Sequence, residues 1–214
     1  MIATTKIRPA ANSALIVTDV QNCFIPGGTL PVAKGDEIVP MVNNLARRFE
    51  NVVITQDWHP RGHASFASSH AGKKPFETTQ LHYGEQVLWP DHAVQGSEDA
   101  AQHRDLDIPH AQLLIRKGYH AGVDSYSVFY EADHKTDTGL TGYLWRRGIS
   151  TVFLCGLATD FCVAWSALDS VREGFETYVI EDACRAIDLQ GSLAKAWADM
   201  TKAGVKRIQS SDLH

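Results

Sequence analysis

Short aliphatic runs rich in Val, Ile and Leu, at residues 14–17, 52–55, 113–115, 152–154 and 178–180, constrain this chain more than any other feature. A strand with one wet face alternates apolar and polar residues, whereas an unbroken apolar run suits a strand buried on both faces. A weaker sixth run covers residues 205–208. Helix-like segments lie between them at 36–50, 139–147, 160–173 and 192–203, most followed or closed by a glycine such as Gly148, Gly174 or Gly204. Strand and helix alternating in this order imply an α/β fold of three layers, α/β/α, around a central, mostly parallel, six-stranded sheet. At 214 residues and 44% hydrophobic, the chain suits one domain spanning residues 1–214.

The stretch 57–110 breaks the rhythm. It is rich in His, Pro, Gly and Ser and has no strong period, and loops of that length in a compact domain usually carry function. A formal net charge of −5, without a run of Lys or Arg, argues against a nucleic-acid partner. The first 13 residues lack a signal-peptide core, and no later run approaches the roughly 20 apolar residues of a membrane span, so a cytoplasmic location with no membrane contact is expected. Four cysteines at these spacings form neither a zinc ribbon nor a disulfide framework, so each thiol needs its own account.

In open parallel sheets, ligands bind beyond the carboxyl ends of the strands, so the residues just after each run are the ones to inspect. Asp19 follows the first run and can serve as a general base. After the second come Asp57 and His59, two residues apart and so on one side of an extended chain. A carboxylate with imidazoles suits zinc, iron or manganese, and His92 is the candidate third ligand, with His63 a possible fourth, directly or through water. Lys117 ends the third run. Cys162 falls in the first turn of the helix after the fourth run, where unpaired N–H groups and the positive end of the helix dipole favour a thiolate. Lys117 would favour that thiolate further, Asp19 would carry the thiol proton, and the backbone N–H groups of Ala158 and Cys162 are the expected oxyanion hole. Nucleophile, base and electrostatic support together point to acyl transfer. Each residue also has an ordinary reading: Asp19 as a cap or turn residue, Lys117 as a surface lysine, His63 as a loop histidine, Cys162 as a small buried hydrophobe. That last reading is the one applied to Cys155 and Cys184.

The segments Asp19-Val20-Gln21-Asn22, Asp57-Trp58-His59-Pro60 with His63, Trp89-Pro90 with His92, Lys117-Gly118, and Ala158-Thr159-Asp160-Phe161-Cys162 resemble the bacterial nicotinamidases, over nearly the whole chain. The resemblance implies an isochorismatase-like fold with Asp19, Lys117 and Cys162 as the catalytic triad. It implies Asp57, His59 and His92 as ligands of one divalent metal ion, zinc ahead of iron or manganese. It further implies a cis peptide before Ala158, and a pyridine ring held by Phe24 and Trp89 with Tyr126 as a third wall. The implied reaction is hydrolysis of nicotinamide to nicotinate and ammonia through a cysteine thioester, a step of NAD salvage, with pyrazinamide also accepted and the enzyme a homo-oligomer. Cys23 stands where many relatives carry an acidic residue, and is expected near the pocket entrance. Two rivals remain at this point. One is another substrate within the fold, a carbamoyl amide or an isochorismate-like vinyl ether; the other is a non-catalytic thiol redox sensor with a structural metal.

Overall fold

The computed structural model describes residues 6–214. Its eight strands are β1 (Ser13–Thr18), β2 (Asn51–Asp57), β3 (Thr78–Leu81), β4 (Gly84–Val87), β5 (Leu113–Lys117), β6 (Thr151–Leu157), β7 (Glu176–Arg185) and β8 (Lys206–Ile208). Six of them form one sheet in the order β5-β2-β1-β6-β7-β8, and every neighbouring pair is parallel. The sheet is thus wholly parallel. Its central strand β1 is buried at all six positions, as its unbroken apolar run requires.

The helices are α1 (Val39–Ala46), α2 (Leu140–Arg146), α3 (Ala164–Arg172) and α4 (Ser192–Ala203). The chain steps one way across the sheet from β1 to β2 to β5, and the other way from β6 to β7 to β8. Right-handed connections running in opposite directions put their helices on opposite faces, which produces the three layers. The reversal falls between β1 and β6, and a crevice opens at the carboxyl ends of strands that flank such a point. Among the described residues no helix is long and apolar enough to cross a membrane.

Three boundaries differ from the sequence expectation. The segment 36–50 begins as a 3-10 turn, Gly35–Ile38, and becomes α-helical only where Pro40 fits the first turn of α1. The segment 160–173 opens as a wide π turn, Thr159–Val163, before α3 begins. The stretch 57–110 contains the antiparallel hairpin β3–β4, whose residues are mostly polar and half-exposed and so carry no apolar alternation to betray it.

Candidate active site

The carboxyl ends of β1, β2 and β5 and the turn after β6 each deliver one functional side chain to the crevice. Asp57 and Lys117 are register partners at the ends of β2 and β5. Asp19 leaves β1 with φ 47°, a left-handed conformation that turns its carboxyl back over the sheet. Beyond β6, the cis peptide between Leu157 and Ala158 leads into the π turn that carries Cys162. The chains approach closely here: a Cβ on Gly156 would lie 2.0 Å from the Thr18 carbonyl oxygen, so only glycine fits.

Lys117 is fully buried and its ammonium is the hub of the cluster. Nζ donates to Asp57 Oδ1, to the Ser125 carbonyl at 2.9 Å and to Cys162 Sγ at 3.3 Å, and it lies 3.0 Å from Asp19 Oδ2. Asp19, Asp57 and Cys162 place one ligand atom each within 4.8 Å of one another. The Ala158 carbonyl accepts the N–H groups of Phe161 and Val163, both at 3.2 Å. These donors flank Cys162 on either side, so the wide turn satisfies that carbonyl without engaging the N–H of Cys162.

Burial dominates the proton equilibria. It pushes the Cys162 thiol well above its ordinary value; Lys117 opposes this, and the carboxylates of Asp19 and Asp57 reinforce it. The resting group is therefore a thiol with a proton for Asp19 to carry, because desolvation and two nearby carboxylates outweigh one cation. Burial likewise raises Asp19, with Lys117 partly offsetting it. For Asp57 burial also pushes upward, but the Lys117 ammonium and His59 prevail and hold its carboxyl well below the usual range. Lys117, disfavoured by burial, is carried well above its ordinary value by Asp19 and Asp57 and stays charged.

Asp57, His59 and His92 form a second grouping, with Oδ2 of Asp57 3.6 Å from His59 Nε2 and 3.8 Å from His92 Nε2. His59 Nδ1 donates to the Gly118 carbonyl and His92 Nδ1 to the Pro90 carbonyl, both at 2.8 Å. Those bonds place a ring proton on Nδ1 and turn each Nε2 towards the carboxylate, so that an ion displacing the Nε2 protons would find both imidazoles already oriented as ligands. The donor set fits a divalent ion with N and O preferences and leaves coordination positions open. His63 stands apart. Its ring centroid is 4.3 Å from that of His59, its Nδ1 meets Ser65 Oγ at 2.8 Å, and its Nε2 meets the carbonyls of His120 and Val123 at 3.0 and 3.1 Å. Burial and the neighbouring His59 push it down to about 4, so the ring is neutral with both nitrogens engaged by protein.

A cavity enclosing about 330 Å³ of empty space meets both groupings. Cys162, Ala158, Asp57, His59 and His92 line it, as do Phe24, Trp89 and Tyr126, while Asp19 and Lys117 are fully buried behind its wall. The Tyr126 hydroxyl accepts from Trp89 Nε1 and Gln86 Nε2, each at 2.9 Å, which fixes two walls together. Cys23 is not at the entrance. It is fully buried on the turn Asn22–Phe24, where its N–H donates to the Asp99 carbonyl and its carbonyl accepts from Leu30, so its side chain belongs to the core.

Several contributors were not singled out from the sequence. Leu30, Asp124, Phe161 and Ile187 also line the cavity. Gln21 accepts from the Asp57 N–H at 2.7 Å and donates to the Asp57 carbonyl at 2.9 Å, and Thr55 bonds both the main chain and the side chain of Asp19. Gln21 and Phe161 lie inside the quoted motifs, beside residues whose chemistry drew attention first.

Residues 13–212 match the Isochorismatase domain family. The nicotinamidase of Acinetobacter baylyi is 58% identical over 208 residues, covering 97% of each chain. Among solved structures, a nicotinamidase/pyrazinamidase of Acinetobacter baumanii superposes with a TM-score of 0.94 at 64% identity, covering 95% of this chain and 98% of that one. PnC1 of L. infantum, in complex with nicotinate, gives 0.86 at 36% identity over 98% of both chains. The pyrazinamidase of Pyrococcus horikoshii, in complex with zinc, gives 0.76 at 34% identity over 92% of this chain and 99% of that one. The chain therefore belongs to the isochorismatase-domain family, in the group that holds the nicotinamidases and pyrazinamidases.

Proposed function

We propose that this chain hydrolyses nicotinamide to nicotinate and ammonia, with Cys162 as nucleophile and Asp19 as proton carrier. The observation that carries the reading is the meeting, in one cavity, of a thiol backed by Lys117 and Asp19 with the open grouping Asp57, His59 and His92. The relatives named above supply the substrate class: they are nicotinamidases and pyrazinamidases, one of them solved with nicotinate.

Because Cys162 rests as a thiol, the reaction begins with transfer of its proton to Asp19, a base whose raised affinity for protons suits the task. Sulfur attacks the carboxamide carbon, and the oxyanion settles against the N–H groups of Ala158 and Cys162. Asp19 returns the proton to the leaving amine and ammonia departs. Water then attacks the thioester, Asp19 again taking a proton, and nicotinate and the thiol are released. Lys117 stays charged throughout and stabilises the thiolate as it forms. Asp57, His59 and His92 would hold one divalent ion, zinc first as in the Pyrococcus horikoshii relative, which when bound supplies a Lewis-acid contact for the pyridine nitrogen. Phe24, Trp89 and Tyr126 wall the ring, and pyrazinamide, with the same ring shape, enters the same space. His63, within ligand distance of His59 and Asp124, would add a fourth donor directly or through water once its ring turns from its present protein partners. The reading extends to a cytoplasmic homo-oligomer, which light scattering of the purified protein and cell fractionation would test.

The test is release of nicotinate and ammonia by the purified protein, beside Cys162→Ala. Wild-type turnover with the variant reduced by roughly 10³-fold or more is expected. A folded, metal-loaded wild type that leaves nicotinamide intact would overturn the substrate.

A further inference from the structure

Asp19 has two carboxylate oxygens in unlike surroundings. Thr55, fully buried on β2, has one hydroxyl that does two things: it accepts the Asp19 backbone N–H at 3.0 Å and meets Asp19 Oδ1 at 2.5 Å. A hydroxyl whose lone pair takes an N–H must point its single proton elsewhere, and among the described residues the acceptor it meets is Oδ1. The branched threonine side chain is stiff at χ1, so strand β2 fixes that proton in place. Oδ1 is thereby engaged.

Oδ2 is buried and has no hydrogen-bond donor. Lys117 Nζ stands 3.0 Å away, but its three N–H directions go to Asp57 Oδ1, the Ser125 carbonyl and Cys162 Sγ. Oδ2 therefore lies in the field of a cation whose best-aligned protons go elsewhere, and keeps lone-pair capacity for a further proton. The Cys162 sulfur, meanwhile, accepts from Lys117, which leaves its own S–H proton to be donated within a group whose ligand atoms lie within 4.8 Å.

We propose that Thr55 is a positioning residue that divides the work between the oxygens of Asp19: it holds Oδ1, and Oδ2 is the atom that takes and returns the proton. The S–H bond breaks as the Oδ2–H bond forms, and the sulfur electron pair is freed for attack. On return, the Oδ2–H bond breaks, an N–H bond forms on the leaving amine, and the C–N bond opens. The inference rests on the amide-hydrolysis reading for its substrate, but its first step is a property of the thiol alone.

The experiment compares wild type, Thr55→Val and Thr55→Ser, with Cys162→Ala as the background, by the rate at which iodoacetamide alkylates Cys162. Thr55→Val keeps the shape and loses the hydroxyl; alkylation should fall by about tenfold or more, and kcat on nicotinamide by roughly 10 to 100-fold, with KM within about twofold. Thr55→Ser keeps the hydroxyl and should recover most of both rates. A folded Thr55→Val protein that alkylates at the wild-type rate overturns the proposal, as does a Thr55→Ser protein no better than Thr55→Val. Should Thr55→Val fail to fold, the wild type decides. Proton NMR is expected to show a slowly exchanging Thr55 hydroxyl with an Overhauser contact to the Asp19 amide, and a hydroxyl in fast exchange with water overturns the assignment. If wild-type protein alkylates as expected yet leaves nicotinamide untouched, the substrate reading falls and the assignment to Thr55 stands.

Discussion

Two regions of this molecule pair cations with carboxylates, and they do so to different ends. At the outer edge of the sheet, Lys206 pairs with Glu176 and Arg207 with Glu181, all four side chains between 31% and 52% exposed. At the carboxyl ends of β1, β2 and β5, beneath the crevice, Lys117 pairs with Asp19 and Asp57, and no side chain among them exceeds 5% exposure. Water screens the first region, and such pairs contribute little to stability. The second region has lost its water, so its charges cost folding energy unless each keeps its partner. A chain retains such a cluster where the chemistry needs it: burial raises Asp19 and Cys162 together, while the carboxylates of Asp19 and Asp57 overcome burial to keep Lys117 charged between them.

The comparison can be broken most directly at Lys117. Lys117→Met should lower turnover by roughly 10³-fold or more and destabilise the fold by about 3–5 kcal/mol in urea titration, since two buried carboxylates lose their cation. An unchanged unfolding midpoint would make the buried cluster no different from the surface pairs. Metal removal sharpens the contrast in the other direction. Chelation should abolish nicotinamide turnover while far-UV circular dichroism keeps the native spectrum, because an open three-ligand grouping on a complete core is not a folding nucleus. Unfolding of the stripped protein would reassign the grouping as structural.

Gly118→Ala is the next largest effect. Gly118 has φ 65° and its Cβ would meet the His59 ring at 2.4 Å, so the side chain must push the imidazole aside. Metal affinity, read by competition with a chromophoric chelator, should fall about 10 to 100-fold, the range seen when support for a ligating histidine is lost. The smallest effect belongs to the surface pair. Hydrogen bonds from Arg207 hold Glu181 below its ordinary value of 4.5. The sign follows: a depressed carboxylate contributes stability above its unfolded pKa and loses it as pH falls through the folded one. Glu181→Gln should cost less than about 1 kcal/mol at pH 7, shrinking towards zero in thermal melts taken below pH 4.

The sheet was legible because its signal is local: runs such as 14–17 and 152–154 state their burial without reference to any partner. Asp19, Lys117 and Cys162 were legible because each ends such a run with a group capable of chemistry. Thr55 and Gln21 were not. A polar residue within or just after a strand means nothing until its partner across the sheet is known, and those partners lie 36 residues away in sequence. The balance at the Cys162 proton was only half legible for the same reason, since helix position is local while desolvation and the Asp57 charge are not. The π turn and the hairpin β3–β4 carry no periodic pattern, and Cys23 was placed by motif spacing alone.

Trp89 gives the protein a built-in optical reporter. Of the chain's five tryptophans, it alone lines the cavity, its indole N–H held by Tyr126 and its ring edge-on to Phe161 at 4.8 Å. Arrival of an aromatic amide changes the polarity and the quenching around one fluorophore whose orientation is fixed on two sides. Occupancy can therefore be followed by emission alone, in an inactive Cys162→Ala protein, at rates that separate entry of the ring from the chemistry that follows.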